Sequence, residues 1–235
     1  MIVRRFVKRS LDNKKKIFLI LLSIAVGTGL SAFAVQYFFG ESSVYRSVEY
    51  YEVKPVVSIL TGGMAVEVAV WDGEEIKIET VAELPIFVDD ESEQEIIISQ
   101  NDDFVVSIFT LDMFRYKLKV YLPVYEYKEI NIISAGGNVN VDSYRLESER
   151  VLIDTKNADV DVRRATGIYV INTVSGDVYL DYDFLVAAAV VESDSGNVQV
   201  CIPYYYADRA NAKLRVRTRT GSYEIIEKDE VIPLL

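Results

Sequence analysis

One phrase recurs in this chain, and its recurrence limits the fold more than any other feature. Residues 170–183, VINTVSGDVYLDYD, read as strand, glycine corner, strand. Aligned on that corner, five segments superpose, anchored at Gly137, Ala158, Gly176, Gly196 and Gly221, at steps of 21, 18, 20 and 25 residues. Five positions before the anchor stand Ile132, Ile153, Ile171, Val191 and Val216, and three before stand Ser134, Thr155, Thr173, Ser193 and Thr218. One position after stand Asn138, Asp159, Asp177, Asn197 and Ser222. Apolar residues follow at two and four positions after it (Val139 and Val141 in the first copy), with a polar or amphipathic residue between them.

Each column has a physical reason. Alternation at period two puts the valines on one face of a strand and the polar residue on the other. Glycine is expected to supply a corner conformation that other residues resist, with Asn or Asp beside it favouring a turn. Where Ala158 replaces glycine, Asn157 is the neighbour best suited to a left-handed corner. No single copy can bury its own apolar side, but stacked copies lay the valines into one column. Hydroxyls in register are expected to hydrogen-bond up that stack. The prediction is an all-β, stacked-repeat domain of β-solenoid or β-helix type. An antiparallel sandwich with glycine turns shows similar alternation but does not predict six matching columns in five copies.

The first half is less regular. VVSILTGGMAVEVAVWDGEEIKIETV reads as strand, Gly62-Gly63 corner, strand, Asp72-Gly73 turn, strand, with Val66 and Val68 out of the repeat's register. It is read as a degenerate opening winding. DDFVVSIFT and YKLKVYLP are two further strands, and this stretch is expected to cap one end of the stack, with residues 212–235 capping the other.

The N-terminus carries a second strong signal. Ile17 to Phe39 holds no charge over 23 residues and follows Lys14, Lys15 and Lys16. As a helix it would run about 34 Å, enough to cross a bilayer's hydrocarbon core. Its positive flank belongs on the cytoplasmic side. The expected plan is a cytoplasmic basic tail (1–16), a transmembrane signal-anchor helix (17–39), a juxtamembrane connector (40–55) and an extracytoplasmic β-repeat domain (56–235). The rival is a cleaved signal peptide ending at Ala32-Phe33-Ala34, with a mature start at Val35.

Charge and composition exclude several functions. The tail and span hold seven basic groups and one acid, which leaves the remainder at a net −17. Such a body repels nucleic acid, so no nucleic-acid partner is expected. Histidine is absent, which removes the commonest general base and metal ligand. One cysteine, Cys201, allows no internal disulfide. No phosphate-binding glycine loop opens a helix. Carboxylate pairs such as Asp177 with Asp181, or Asp154 with Asp159, are what an acidic domain holds by composition. The chain is therefore read as no enzyme, with no catalytic residue and no cofactor. Calcium is the one metal considered, at Asp89, Asp90, Glu91, Glu93 and Glu95 or at Asp102 and Asp103, but the spacing fits no calcium loop and a solvated acidic loop is preferred.

Lys213, Arg215, Arg217 and Arg219 alternate along one strand and make a basic stripe on an acidic body. A charged edge strand that discourages aggregation accounts for it. So does a contact for an anionic cell-wall polymer or an acidic envelope protein. Tyr204, Tyr205 and Tyr206 precede it, and three adjacent tyrosines cannot all face inward from a strand.

The arrangement YKLKVYLPVYEYKEINIISAGGNVNV, followed by repeating Ser/Thr-x-x-Gly-Asp/Asn-Val corners and a second Ile202-Pro203, resembles the bacterial putative-adhesin domain family of unknown function. The resemblance covers residues 50–228 and is clearest over 117–203. It implies a β-solenoid-like domain, extracytoplasmic or membrane-attached, in a family some of whose members are linked to envelope stress, and it brings no catalytic residues. Ala158 and the irregular first half depart from the pattern. The expected function is a non-catalytic, membrane-anchored envelope scaffold or sensor. The alternative is a secreted adhesin or glycan-binding module released by cleavage.

Overall fold

The computed structural model describes residues 45–82, 86–100, 116–183, 188–203 and 213–228, all within one compact unit, Val44–Leu235. The segment 17–39, Asp102, Asp103 and Tyr204 to Tyr206 lie outside the described residues. In chain order the strands are β1 (Tyr45–Tyr51), β2 (Val56–Thr61), β3 (Ala65–Trp71), β4 (Ile76–Ala82), β5 (Ile86–Asp89), β6 (Glu95–Gln100), β7 (Lys117–Pro123), β8 (Glu126–Ser134) and β9 (Val139–Asp142). They continue as β10 (Glu147–Thr155), β11 (Val160–Ala165), β12 (Ile168–Thr173), β13 (Val178–Tyr182), β14 (Ala189–Ser193), β15 (Val198–Pro203), β16 (Leu214–Thr218) and β17 (Tyr223–Lys228).

They form two sheets, ordered β1-β4-β7-β3-β9-β11-β13-β15-β17 and β16-β14-β12-β10-β8-β2-β6-β5. Each repeat places one strand in each sheet and turns the corner between them, and every successive copy pairs in parallel with the one before. Val139, Val160, Val178 and Val198 are register partners in turn, and all are buried. Ile132, Ile153, Ile171 and Val191 do the same in the other sheet. The two columns face each other in one core. A fully buried aliphatic side chain contributes about 1.5–3 kcal/mol, so the columns are the main stabilising term.

The opening winding is regular, not degenerate. Val66 and Val68 pair with Val139 and Val141, and Ile59 and Thr61 with Ile132 and Ser134. This register puts Met64, not the Gly62-Gly63 pair, at the anchor. Gly62-Gly63 is the stronger turn signal, but the residue in register with the other anchors is Met64.

Glycine's role also differs from the expectation. Among the described residues the only glycine with positive φ is Gly167; Asn157 is not left-handed either, whereas Arg145 and Arg164 are. A Cβ on Gly137, Gly176, Gly196 or Gly221 would instead come within 1.9 Å or less of a carbonyl oxygen in the preceding winding. Close backbone approach selects glycine, and its conformational freedom does not. Ala158 marks the exception: its N–H, unlike those of the four glycines, makes no bond to the corner hydroxyl.

The hydroxyls mostly serve their own corner. Gly137 donates its N–H to Ser134 Oγ at 3.2 Å, and Gly176, Gly196 and Gly221 repeat this at 3.0, 2.8 and 2.9 Å. The side chains that bond up the stack are the Asn and Asp just after the anchor. The N–H groups of Asp159, Asp177, Asn197 and Ser222 donate to Asn138, Asp159, Asp177 and Asn197 at 2.7–3.3 Å.

The first half does cap the stack, but it also adds to it. β6 and β7 pair in parallel with β2 and β3, and so make a further winding on the far side of the first one. Beyond it lie antiparallel strands: β4 on β7, β1 on β4, and β5 on β6. Part of the stretch read as a connector is therefore β1. Among the described residues the C-terminal segment adds no antiparallel cap. β16 and β17 form an ordinary last winding, and each ends its sheet among the described residues.

Candidate functional site

The basic stripe lies on this last winding. Alternation along β16 turns Leu214 and Val216 toward the core and Arg215 and Arg217 outward. Arg215 and Arg217 both lean back on Glu192 of β14, at 3.7 and 3.9 Å, and Arg219 leans on Asp194 at 3.5 Å. The three guanidiniums thus share two carboxylates and stay more than half exposed. Lys213 stands at the start of the strand and has a partner of its own. Beside the stripe runs a shallow cleft of about 800 Å³ walled by Asp154, Asn172, Glu192, Asp194, Arg217 and Arg219. The stripe lies on an edge strand of its sheet among the described residues, with its guanidiniums exposed.

The inward column loses its cover here. Tyr223 and Ile225 occupy the positions that Val139 and Val141 fill in the first aligned copy, yet they are 60 % and 39 % exposed. Lys228 pins the strand back by donating to the Tyr182 carbonyl at 3.0 Å and pairing with Asp181.

Two further surfaces were not singled out in the sequence. On the outer face of the eight-stranded sheet an apolar groove of about 360 Å³ is lined by Leu60, Ile97, Ile133, Leu152 and Val170, with Ser58, Glu95 and Asn131 among them. Ser58 donates to Glu95 at 2.6 Å and accepts from Asn131 at 3.3 Å, while the buried Asn131 Oδ1 has no partner. The signal was legible: Leu60, Ile133 and Leu152 stand where alternation calls for polar residues. On the other sheet a polar groove of about 360 Å³ follows Asn140, Asp161, Tyr179, Gln199 and Glu224. The Tyr179 hydroxyl there accepts a bond from the Cys201 thiol at 3.7 Å, and this bond with partial burial pushes its pKa up to about 12.

Three of the four carboxylates in those pairs have structural partners. Asp159 and Asp177 cap N–H groups of the next winding, and Asp181 holds Lys228. In the acidic run, Asp89 accepts the Glu91 N–H at 3.2 Å and so shapes a turn. Among the described residues no three acidic or thiol groups converge as a metal site would need.

Comparisons with known proteins agree with this geometry. The structure resembles that of a putative cell adhesion protein from Clostridium sporogenes, at 13 % identity and a TM-score of 0.51, covering 78 % of this chain and all of that one. A putative adhesin from Bacteroides fragilis matches at 9 % identity and a TM-score of 0.31, over 78 % of this chain and 95 % of that one. No curated protein matches significantly. The pattern that defines Toastrack DUF4097 matches residues 59–200 and 125–231, which together span the stack from β2 to β17. This chain belongs to the Toastrack DUF4097 family.

Proposed function

We propose that this is a non-catalytic envelope protein, held in the cell membrane by residues 17–39, with the basic tail in the cytoplasm and the stack outside. It acts as a scaffold or sensor by binding another envelope component through Lys213, Arg215, Arg217 and Arg219, with Tyr204, Tyr205 and Tyr206, which precede them in the sequence, as further contacts. One observation carries this reading: the stack is closed by antiparallel strands at one end, yet at the other no described strand lies beyond the last winding, which is lined with arginine. Stability alone asks for a second cap. The uncharged 23-residue segment after Lys16 supports the anchor.

The test uses the full chain in nanodiscs, with purified anionic wall polymer and envelope membrane extract as ligands. Arg215→Glu with Arg217→Glu is expected to abolish capture while the far-ultraviolet spectrum keeps its strand signature. Unchanged capture removes the stripe from the function. Release as a secreted adhesin is separated by N-terminal sequencing of the native protein. An intact N-terminus in the membrane fraction is expected, and a start at Val35 rejects the anchor.

A further inference from the structure

We infer that the open end of the stack is a strand-docking site, and that its occupant is an extended acidic segment of another protein that adds beside β16. This rests on the reading of the arginine stripe as a contact surface and names what that surface takes.

The backbone supplies the first argument. The Arg219 N–H donates to the Ser193 carbonyl of β14 at 3.1 Å. In a parallel pair the N–H and C=O of one residue point to one neighbour and those of the next residue to the other. Leu214, Val216 and Thr218 therefore aim their backbone groups away from β14, at an edge where no described strand lies. Unpaired strand edges recruit strands, and proteins usually block them. The opposite end of this molecule is blocked.

Charge supplies the second argument. Glu192 is the register partner of Arg217 and serves two arginines at once. Each guanidinium has five donors, and two carboxylates do not satisfy three such groups. An incoming strand with acids at alternate positions would place a second carboxylate row on the outer side of the arginines, as Glu192 and Asp194 do on the inner side. Its other face would cover Val216 and Leu214. A second copy of this chain fits less well. The open end is flush, with both sheets stopping at one winding, whereas the capped end is stepped, two antiparallel strands in one sheet and one in the other. Head-to-tail stacking cannot pair both edges. Tail-to-tail pairing that continues each sheet sets the arginine row against itself.

The probe is a fluorescein-labelled nonapeptide, AVVESDSGN, which copies residues 189–197 and so carries Glu192 and Asp194. Binding to the full chain in nanodiscs is read by anisotropy. Saturable binding is expected, weakened at least tenfold by Arg215→Gln with Arg217→Gln, and likewise by Val216→Pro, which removes an outward N–H and leaves the bonds to β14. Alternate backbone N-methylation of the peptide, which keeps its charge and leaves the protein untouched, is expected to abolish binding in one of its two phases. An AVVKSKSGN control should not bind. Equal binding of both N-methylated peptides overturns the inference, since charge alone then suffices. So does binding of poly(glycerol phosphate) without binding of the peptide, which leaves the stripe's role intact. Failure of both ligands removes the inference and the stripe together. A concentration-dependent dimer that Val216→Pro dissolves, with no peptide binding, assigns the edge to a second copy and also overturns it.

Discussion

The two ends of the stack are built from the same residue types and solve opposite problems. At the capped end, β4 lies antiparallel on β7 and ties itself down on the outer face. Lys77 pairs with Glu79 at 2.5 Å, its ammonium lies 4.7 Å from the Tyr121 ring, and Tyr121 donates to Glu79 at 3.4 Å. Glu67 takes Lys117 and Lys119 together. Burial pushes its pKa up, but the two ammoniums outweigh this and hold the carboxyl below its usual range. At the open end the three arginines stand 3.5–3.9 Å from their partners, and Tyr223 and Ile225 of the inward column are exposed. Closing a solenoid takes strands that run against the stack, and staying open takes only the next repeat. The difference teaches that openness here is a property of one end, since the chain shows at the other that it can cap.

The sharpest way to break this comparison is one substitution made at two heights. Gly176→Val drives a Cβ to 1.7 Å from the Ala158 carbonyl oxygen, in the middle of the stack. Loss of about 4 kcal/mol or more is expected, or failure to fold, in chemical denaturation. Gly221→Val meets a similar clash, 1.9 Å from Gly196 O, but only one winding lies beyond reach of repair. The last winding should fray at a cost of about 1–2 kcal/mol, since local unfolding spares the rest. Gly136→Val, whose Cβ lies 3.9 Å from its nearest contact, is the control near zero. Equal losses at 176 and 221 would mean the end is as tightly held as the middle. Val160→Asp and Ile225→Asp probe the same gradient through the core. The first buries a charge in the column and should cost about 3–5 kcal/mol, and the second, on a 39 % exposed residue, under about 1 kcal/mol.

Alkaline pH sharpens the comparison more gently. Tyr169 is fully buried against Ser143, 2.5 Å from its hydroxyl, and burial pushes its pKa up to about 12. The folded state therefore keeps a phenolic proton that the unfolded chain loses near pH 10. Stability from this group is fully present below pH 10 and is lost as pH rises through about 12, on the order of 2 kcal/mol. Tyr169→Phe should flatten the slope of unfolding free energy against pH in that window. Tyr223, at the open end, is 60 % exposed and lacks that burial.

The stack was legible in the sequence because its columns obey two independent rules, period two along each strand and a fixed step between copies. Ile132, Ile153, Ile171 and Val191 satisfy both, and chance alternation would not. The opening winding was misread because Gly62-Gly63 is a stronger turn signal than Met64, although the β-branched Ile59 and the hydroxyl of Thr61 stood at the right distances from Met64. The out-of-order winding of β6 and β7 was not legible at all. Strand propensity says that a segment is extended, but not which edge it joins. The corner chemistry was legible in residue type and not in role, since Ser and Thr close turns and Asn and Asp bridge windings with the same kinds of bond. The stripe of Arg215, Arg217 and Arg219 was visible as alternation. Its place at an uncovered edge follows only from which winding comes last.

That place yields the smallest expected effect and the most discriminating one. Arg215 and Arg217 are 53 % and 66 % exposed and reach Glu192 only at 3.7 and 3.9 Å. Exposed pairs of this kind contribute about 0–1 kcal/mol, and one carboxylate divided between two cations contributes at the low end. Arg215→Gln with Arg217→Gln should therefore shift the denaturation midpoint by no more than about 0.5 kcal/mol equivalent. Arg150, whose Nε donates to Glu129 at 2.9 Å and whose bond lowers the pKa of that carboxyl, sets the scale for a surface arginine that does brace neighbouring windings. If removing the stripe costs more than Arg150→Gln, the arginines hold the last winding in place and their surplus charge needs no partner. If it costs less, the folded chain gains little from three guanidiniums at this edge, and their energetic role lies with whatever binds there.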